Sequence, residues 1–302
     1  MTQQRENFNT KLGFIFSAVE YEFPFFRSFF FKKTKYNFGV NIITVTPYLK
    51  DQLDAALQKK VTHVFFGGGI PNGKDIQRVK EAGSKVICFA PTISLAKRMI
   101  RHGVDALIIE GNEAGGHIGP ISTSLLVQEI ILNIKEVPVF VAGGIATGEI
   151  IAHYLTLGAA GCQLGTRFVA AEECIAHDKF KQVFLKAKSR DAVVTAQFDP
   201  ILPVIPVRAI VNEGTRDYNE LQLKYLQEVK AKKIKPTEAQ LKLEEFWLGS
   251  LRRAVIEGDV EKGSLMAGQS VGMVKSVQPT AEIMEELITS AENKLKAMYN
   301  GQ

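Results

Sequence analysis

The chain has 302 residues, 46% of them hydrophobic and 23% charged, which is ordinary for a globular enzyme of one large domain or two small ones. Its net charge of +5 is spread along the chain without a basic stripe interleaved with aromatics, so nucleic-acid binding is not expected. No run approaches the roughly 18 apolar residues of a membrane helix, so membrane insertion is not expected either.

The three cysteines, Cys88, Cys162 and Cys174, are an odd number without a CxxC spacing. They support neither a disulfide framework nor a zinc site, and no pair of histidines has metal-ligand spacing, so no metal is expected. A reducing compartment, the cytoplasm, is the expected location.

From Phe38 onward, short apolar runs alternate with helical patterns. The predicted strands are Gly39–Val45, Val61–Phe66, Lys85–Ala90, Ala106–Glu110, Val137–Ala142 and Gly161–Leu164. The predicted helices among them are Leu49–Lys59, Lys74–Ala82, Ser94–Gly103, Thr123–Ile134 and Thr147–Leu157. This alternation indicates βαβ units and a parallel sheet covered on both faces. The expected fold class is therefore α/β, a TIM-type (β/α)8 barrel.

The two ends of the chain depart from this rhythm. Only six βα units can be counted from Phe38, so we expect the barrel to be incomplete at its N-terminus unless residues 1–37 complete it. That segment is atypical, because its phenylalanine-rich run Phe23–Phe31 has no strand–loop–helix pattern; Gly13–Val19 is the alternative source of a strand. Further helices are predicted at Tyr218–Lys230, Thr237–Gly249 and Thr280–Met298. We expect residues 38–215 and 250–302 to form the barrel and 216–249 to be a small helical insertion.

A glycine-rich loop, Glu110–Gly119, directly follows a predicted strand and contains His117. Glycines let a backbone approach a ligand closely, and barrel enzymes place catalytic groups at the C-terminal ends of their strands. Imidazole suits proton transfer near neutral pH. The loop is therefore either catalytic, with His117 as the reacting group, or a turn with an incidental histidine.

Two later strands also end in glycine loops, Gly143-Gly144 and Gly165-Thr166, each followed by a predicted helix, the second starting near Val169. Backbone N–H groups in such loops bind anions, and the last two strands of (β/α) barrels commonly form a phosphate site. The pair of loops predicts a phosphate group rather than plain turns.

The segments Glu110–Gly119, Val137–Cys174 and Leu251–Val274 together resemble the nitronate monooxygenase family, also called 2-nitropropane dioxygenases. That family includes the FMN-dependent enoyl-acyl-carrier-protein reductase II enzymes. The resemblance implies an FMN-dependent oxidoreductase, with His117 as the catalytic residue. The positions that match the family's cofactor-binding residues are Asn41, Glu110, Gly115, Gly116, Gly143, Gly144, Gln163, Gly165, Thr166, Met266, Gly268 and Gln269.

Three functions remain open at this stage. The first is oxidation of alkyl nitronates with O2, and the second is reduction of an enoyl thioester by NAD(P)H. Glu110 and Ile118, where nitronate monooxygenases often carry Gln and Arg, favour the second, whereas the proline-containing stretch Phe198–Asn212 departs from the reductase pattern. The third is a degenerate, non-catalytic remnant, because the residues before Lys32 match nothing in the family and a truncated or frameshifted gene would explain them. The expected partner is a small-molecule substrate, and a homodimer is left open.

Overall fold

The computed structural model describes residues 39–44 and 48–300. Every expectation for residues 1–37, including the incomplete start of the barrel, the phenylalanine-rich run and the substitute strand, lies outside these described residues. The chain divides into two compact units. The first takes in the described residues up to Ile108 together with Ile134–Val139, and the second takes in Ile109–Asn133 and the described residues from Phe140 onward.

The first unit contains strands β1 (Gly39–Ile43), β2 (His63–Gly67), β3 (Lys85–Phe89) and the first residues of β4 (Ala106–Glu110). Neighbouring strands run parallel, with Gly39 opposite His63 and His63 opposite Lys85. The helices α1 (Leu49–Gln58), α2 (Gly73–Glu81) and α3 (Ile93–Arg101) alternate with these strands. Fully buried strand side chains include Val64, Phe66, Val86, Cys88 and Leu107. Their burial accounts for the continuous apolar runs in the sequence.

Helices α2 and α3 each begin directly after a residue whose side chain caps them. The side chain of Asn72 accepts a hydrogen bond from the N–H of Asp75 at 2.9 Å, and that of Thr92 accepts one from Leu95 at 3.3 Å. Such caps satisfy backbone donors that have no partner within the helix. The predicted starts at Lys74 and Ser94 are therefore each one residue late.

The second unit contains the end of β4, strand β6 (Val139–Ala142) except for its first residue, and four further strands: β5 (Gly116–His117), β7 (Gly161–Gln163), β8 (Ala192–Val194) and β9 (Val207–Ile210). Its helices are α4 (Thr123–Leu126), α5 (Gly148–Thr156), α6 (Thr166–Val169), α7 (Asp178–Lys186), α8 (Glu213–Lys230), α9 (Pro236–Arg252) and α10 (Thr280–Asn300). Six strands form one parallel sheet in the order β1-β2-β3-β4-β6-β7. This sheet confirms the predicted α/β class and matches the count of six βα units.

Several predicted helices differ from the observed ones. Instead of one regular helix over Thr123–Ile134, α4 continues into a π-helical turn over Val127–Ile131. Apolar periodicity does not separate the two spacings, and the apolar side chains of this turn are buried. The helix predicted to start near Val169 instead ends there, after a single turn that begins at Thr166.

A second, antiparallel sheet has the strand order β5-β9-β8 and was not predicted. Gly116 lies opposite Arg208, and His117 lies opposite Val207. Strands of two to four residues carry too little alternation to be read from the sequence. The pairing of β5 with β9, which are some ninety positions apart in the chain, is therefore visible only in the structure.

The helical pair α8 and α9 packs around aromatic side chains. The rings of Tyr218 and Trp247 are 4.3 Å apart between centroids, and both residues are 1% exposed. Helix α8 starts earlier than predicted because Asn212 caps it, with reciprocal side-chain hydrogen bonds to Thr215. The assignment of residues 216–249 as an insertion stays a prediction. No helix within the described ranges is long and apolar enough to cross a membrane.

Candidate active site

The loop after β4 is held by its own acidic side chain. The carboxylate of Glu113 accepts hydrogen bonds from the backbone N–H of Thr123 at 3.0 Å and from the Thr123 hydroxyl at 2.8 Å. This contact ties the loop to the start of α4, where a carboxylate also complements the helix dipole. The loop that carries His117 is therefore fixed to the next helix.

Two glycines in these loops are required by their surroundings. Gly143 has φ +92°, a conformation that other residues rarely adopt, and a Cβ there would lie 2.9 Å from the carbonyl oxygen of Gly111. At Gly115, a Cβ would lie 2.5 Å from the backbone of Ala267 and Gly268. The loops after β4 and β6 thus touch each other, and residues 266–269, called here the C-terminal segment, pack directly on the first of them.

The C-terminal segment joins the His117 loop to the loop after β7. The N–H of Gly268 donates to the Thr166 hydroxyl at 2.9 Å. The N–H of Gln269 donates to the Glu113 carbonyl oxygen at 2.9 Å. Three stretches that are far apart in the chain are therefore held together by two hydrogen bonds.

Glu110, the last residue of β4, has an unusual carboxyl group. Burial raises its pKa from the ordinary 4.5 to about 7, because a charged carboxylate loses solvation inside the protein. Near neutral pH a large fraction of the group is protonated and can donate a hydrogen bond. In that state it offers a donor and an acceptor, as the amide of a glutamine does.

We expect the Glu110→Gln variant to remove a pH-dependent loss of stability in the ligand-free protein. Below pH 4.5 the Glu110 carboxyl is protonated in both the folded and the unfolded chain. Between that pH and about 7 the unfolded chain ionises first, so the free energy of unfolding falls as pH rises and then levels off. Chemical denaturation across this range measures the effect. Glu129→Gln, which removes an exposed carboxylate, is the control, and identical pH profiles for the two variants would contradict the prediction.

His117 lies on β5, and its side chain meets an acidic residue far along the sequence. Its Nε2 is 2.8 Å from Oε2 of Glu244, which α9 carries. The two side chains are 30% and 25% exposed, so the pair is partly shielded from water yet open to a ligand. This pairing makes proton transfer at His117 chemically feasible.

A buried arginine links the backbone of the His117 loop to the backbone of β8. Arg208, on β9, is 6% exposed and donates from Nε and Nη2 to the Asn112 carbonyl oxygen at 3.0 and 2.8 Å. Its Nη1 donates to the Ala192 carbonyl oxygen at 2.7 Å. Burial lowers the pKa of its guanidinium below the ordinary value for arginine. The hydrogen bonds of Arg208 therefore hold the His117 loop against strands β8 and β9.

Several polar groups near the predicted phosphate loops lack protein partners. The side-chain Oε1 of Gln163, at the end of β7, is buried without a hydrogen bond among the described residues. The backbone N–H groups of Gly144 and Gly165 likewise have no acceptor within the described ranges. Buried polar atoms are normally satisfied, so the unpartnered Gln163 Oε1 marks a place where a polar ligand is expected, while the two glycines are exposed and leave their N–H groups accessible to it.

Asn41 belongs to the first unit. It lies in the middle of β1, and its Oδ1 is buried without a hydrogen-bond partner among the described residues. A Cβ at Gly67 would lie 3.0 Å from this oxygen. The residue thus has an unmet acceptor, as expected of a position that contacts a ligand.

Within the second unit, the structure brings together most of the predicted site residues. Gly115, Gly116, Thr166, Met266, Gly268 and Gln269 are linked by close contacts, and Gly143 and Gly144 pack on the loop that contains Gly111 and Glu113. Sequence reasoning missed the roles of Glu113, Arg208 and Glu244. In the described ranges, no three His, Cys, Asp or Glu side chains are grouped as a metal site requires.

The sequence model of the nitronate monooxygenase family matches residues 28–290. A probable nitronate monooxygenase of Staphylococcus aureus is 34% identical over 166 residues, which are 52% of this chain and 46% of that protein. The chain therefore aligns with about half the length of that relative. A (3aS,4S,5R,7aS)-5-hydroxy-7a-methyl-1-oxo-octahydro-1H-indene-4-carboxyl-CoA dehydrogenase of Rhodococcus jostii is 27% identical over 86% of this chain and 79% of its own.

Among solved structures, FabK from Thermotoga maritima has a TM-score of 0.78 and 38% identity. The match covers 90% of this chain and 81% of that one. This similarity supports the predicted fold of the (β/α)-barrel type.

Proposed function

The chain belongs to the nitronate monooxygenase family, whose members are flavin-dependent oxidoreductases, and from this premise we propose that it binds FMN and oxidises alkyl nitronates with O2. The observation that carries the proposal is the pair of hydrogen bonds from Gly268 and Gln269, which gather the His117 loop, Thr166 and the C-terminal segment. In the family's pattern these same segments hold the cofactor.

The residues present fit FMN. The N–H groups of Gly144 and Gly165, which have no acceptor among the residues that the structure describes, are donors for a phosphate, and Gln163 Oε1 offers an acceptor for another group of the cofactor. Gly143 and Thr166 complete the phosphate side of the proposed site. The remaining proposed contacts are Asn41, Glu110, Gly115, Gly116, Met266, Gly268 and Gln269. FMN bound here would supply the redox chemistry between the substrate and O2.

The chain's own residues bind and orient the substrate. His117, protonated, provides a cation and a hydrogen-bond donor for the negatively charged nitro group of a nitronate. Toward a neutral nitroalkane it acts as the base. Arg208 and the pairing of β5 with β9 keep the backbone of His117 in place.

Denaturing the purified protein should release FMN, which chromatography identifies. The two glycine loops supply one phosphate site, and the sequence has no GxGxxG fingerprint between a strand and a helix. FAD as the stoichiometric cofactor would overturn this assignment. Protein purified without any flavin would favour the alternative that the chain is a degenerate, non-catalytic remnant of the family.

Anaerobic reduction of the bound flavin separates the two enzymatic reactions. We expect propane-2-nitronate to bleach the flavin absorbance and O2 to restore it. The alternative is NAD(P)H-dependent reduction of an enoyl thioester, favoured by Glu110 and Ile118 and by the carboxyl-CoA substrate of the Rhodococcus relative. Rapid bleaching by NADH or NADPH, with none by nitronate, would overturn nitronate oxidation as the proposed function and favour reduction of an enoyl thioester.

We also propose a cytoplasmic location. All three cysteines are free thiols, and burial raises the pKa of Cys88 and Cys162 to about 12, so both stay protonated and unreactive. Reduced thiols of this kind are typical of the cytoplasm. A homodimer remains part of the proposal, to be checked by light scattering.

A further inference from the structure

The contact between His117 and Glu244 joins residues 127 positions apart, and rigid elements hold both ends of it. Glu244 follows Leu243 and precedes Trp247 on α9, and both of these neighbours are 1% exposed. Trp247 stacks on Tyr218 of α8. The Glu244 carboxylate is thus presented by a packed helix rather than by a mobile loop.

The chemistry of the contact fixes where the histidine carries its proton. An ionised carboxylate has no hydrogen to donate, so Nε2 of His117 must be the donor. The Nδ1 atom has no hydrogen-bond partner among the described residues. In the neutral ring it is therefore an open acceptor on a partly exposed side chain.

We propose that Glu244 is a positioning residue that holds His117 as its Nε2–H tautomer, so that Nδ1 is the atom that exchanges a proton with the substrate. The inference rests on the proposed function, in which His117 contacts substrate. With a neutral nitroalkane, the C–H bond breaks and its electron pair stays on the nitronate. The proton forms an N–H bond at Nδ1, and the Glu244 carboxylate neutralises the resulting imidazolium.

Replacing Glu244 with methionine tests this assignment, because methionine keeps the length and helix propensity of the side chain and removes the acceptor. In the flavin-bound protein labelled with 15N-histidine, wild-type His117 should show the Nε2–H tautomer. Its signals are assigned by their loss in His117→Ala. Glu244→Met should show a mixture of tautomers. Glu245→Met, which removes the exposed neighbouring carboxylate, should leave the tautomer unchanged.

Kinetics provide the second readout. The rate of flavin reduction at saturating nitroalkane should fall at least about tenfold in Glu244→Met, with flavin content and KM little changed, because the imidazolium formed at His117 loses the carboxylate that neutralises it and part of the ring is in the other tautomer. In the His117→Ala background the same change should have almost no further effect, since Glu244 acts only through His117.

Two results would overturn the assignment: an unaltered tautomer in Glu244→Met, or an equal loss of rate in both backgrounds. If neither nitronate nor NAD(P)H reduces the wild-type flavin, the proposed function fails instead. The tautomer measurement still decides the role of Glu244 in that case, because it needs no turnover.

Discussion

Turnover with a nitroalkane should fall by about 10²-fold or more when His117 is replaced by alanine, because a positioned acid–base group is then lost. The fold and most of the flavin affinity should remain. The side chain is 30% exposed and its hydrogen bond goes to Glu244, so its removal leaves no large cavity in the core. Steady-state kinetics, normalised to flavin content, measure the effect.

The control for this variant is His153→Ala, which removes an exposed histidine on α5. It should keep wild-type turnover and flavin content. His177 is an example of a histidine with a local role, because its Nδ1 accepts from the N–H of Lys179 at the start of α7. Near-normal turnover in His117→Ala would assign His117 to that structural class and leave the glycine-rich loop without a catalytic group.

Local signals in the sequence predict the parallel sheet and miss the groups that tune the site. The strands around Val64, Val86 and Leu107 are legible because their side chains are buried on both faces, which yields uninterrupted apolar runs. Glu244 sits on a helix with an ordinary polar pattern, and only the three-dimensional structure brings it to His117. Its role depends on the packing of α9, which no local motif encodes.

Arg208 was noticed in the sequence, but its contacts could not be predicted from it. The stretch Phe198–Asn212 stood out in the sequence as a departure from the reductase pattern, without a physical reason. In the structure Arg208 is buried and donates to two backbone carbonyl oxygens, those of Ala192 and Asn112. The stretch that departs from the reductase pattern therefore supplies the residue that connects the His117 loop to β8. A charged residue can be noticed in a sequence, but its hydrogen-bond partners cannot.

Flavin binding should be lost in Gly165→Val while the fold keeps its stability. Gly165 has φ −105° and ψ −66°, which other residues can adopt, and a Cβ there meets no atom within 4 Å. The protein alone therefore gives no reason for a glycine. If the FMN phosphate uses this space and the Gly165 N–H, the valine side chain displaces it. Losing two charge-assisted hydrogen bonds, at about 1.5 to 3 kcal/mol each, weakens binding by about 10²-fold or more.

Thermal unfolding of the ligand-free protein and titration with FMN separate this effect from general damage. Gly249→Val is the matched control, because a Cβ at Gly249 also meets no atom within 4 Å, on an exposed position of α9. It should bind FMN normally. Gly143→Ala should behave in the opposite way, with lower stability as well as weaker binding, since φ +92° and the 2.9 Å approach to Gly111 leave no room for a methyl group. Among the described residues, nothing lies close enough to a Cβ at Gly165 to require a glycine, so only a ligand would be displaced by the valine. Normal FMN affinity in Gly165→Val would therefore show that the phosphate binds elsewhere.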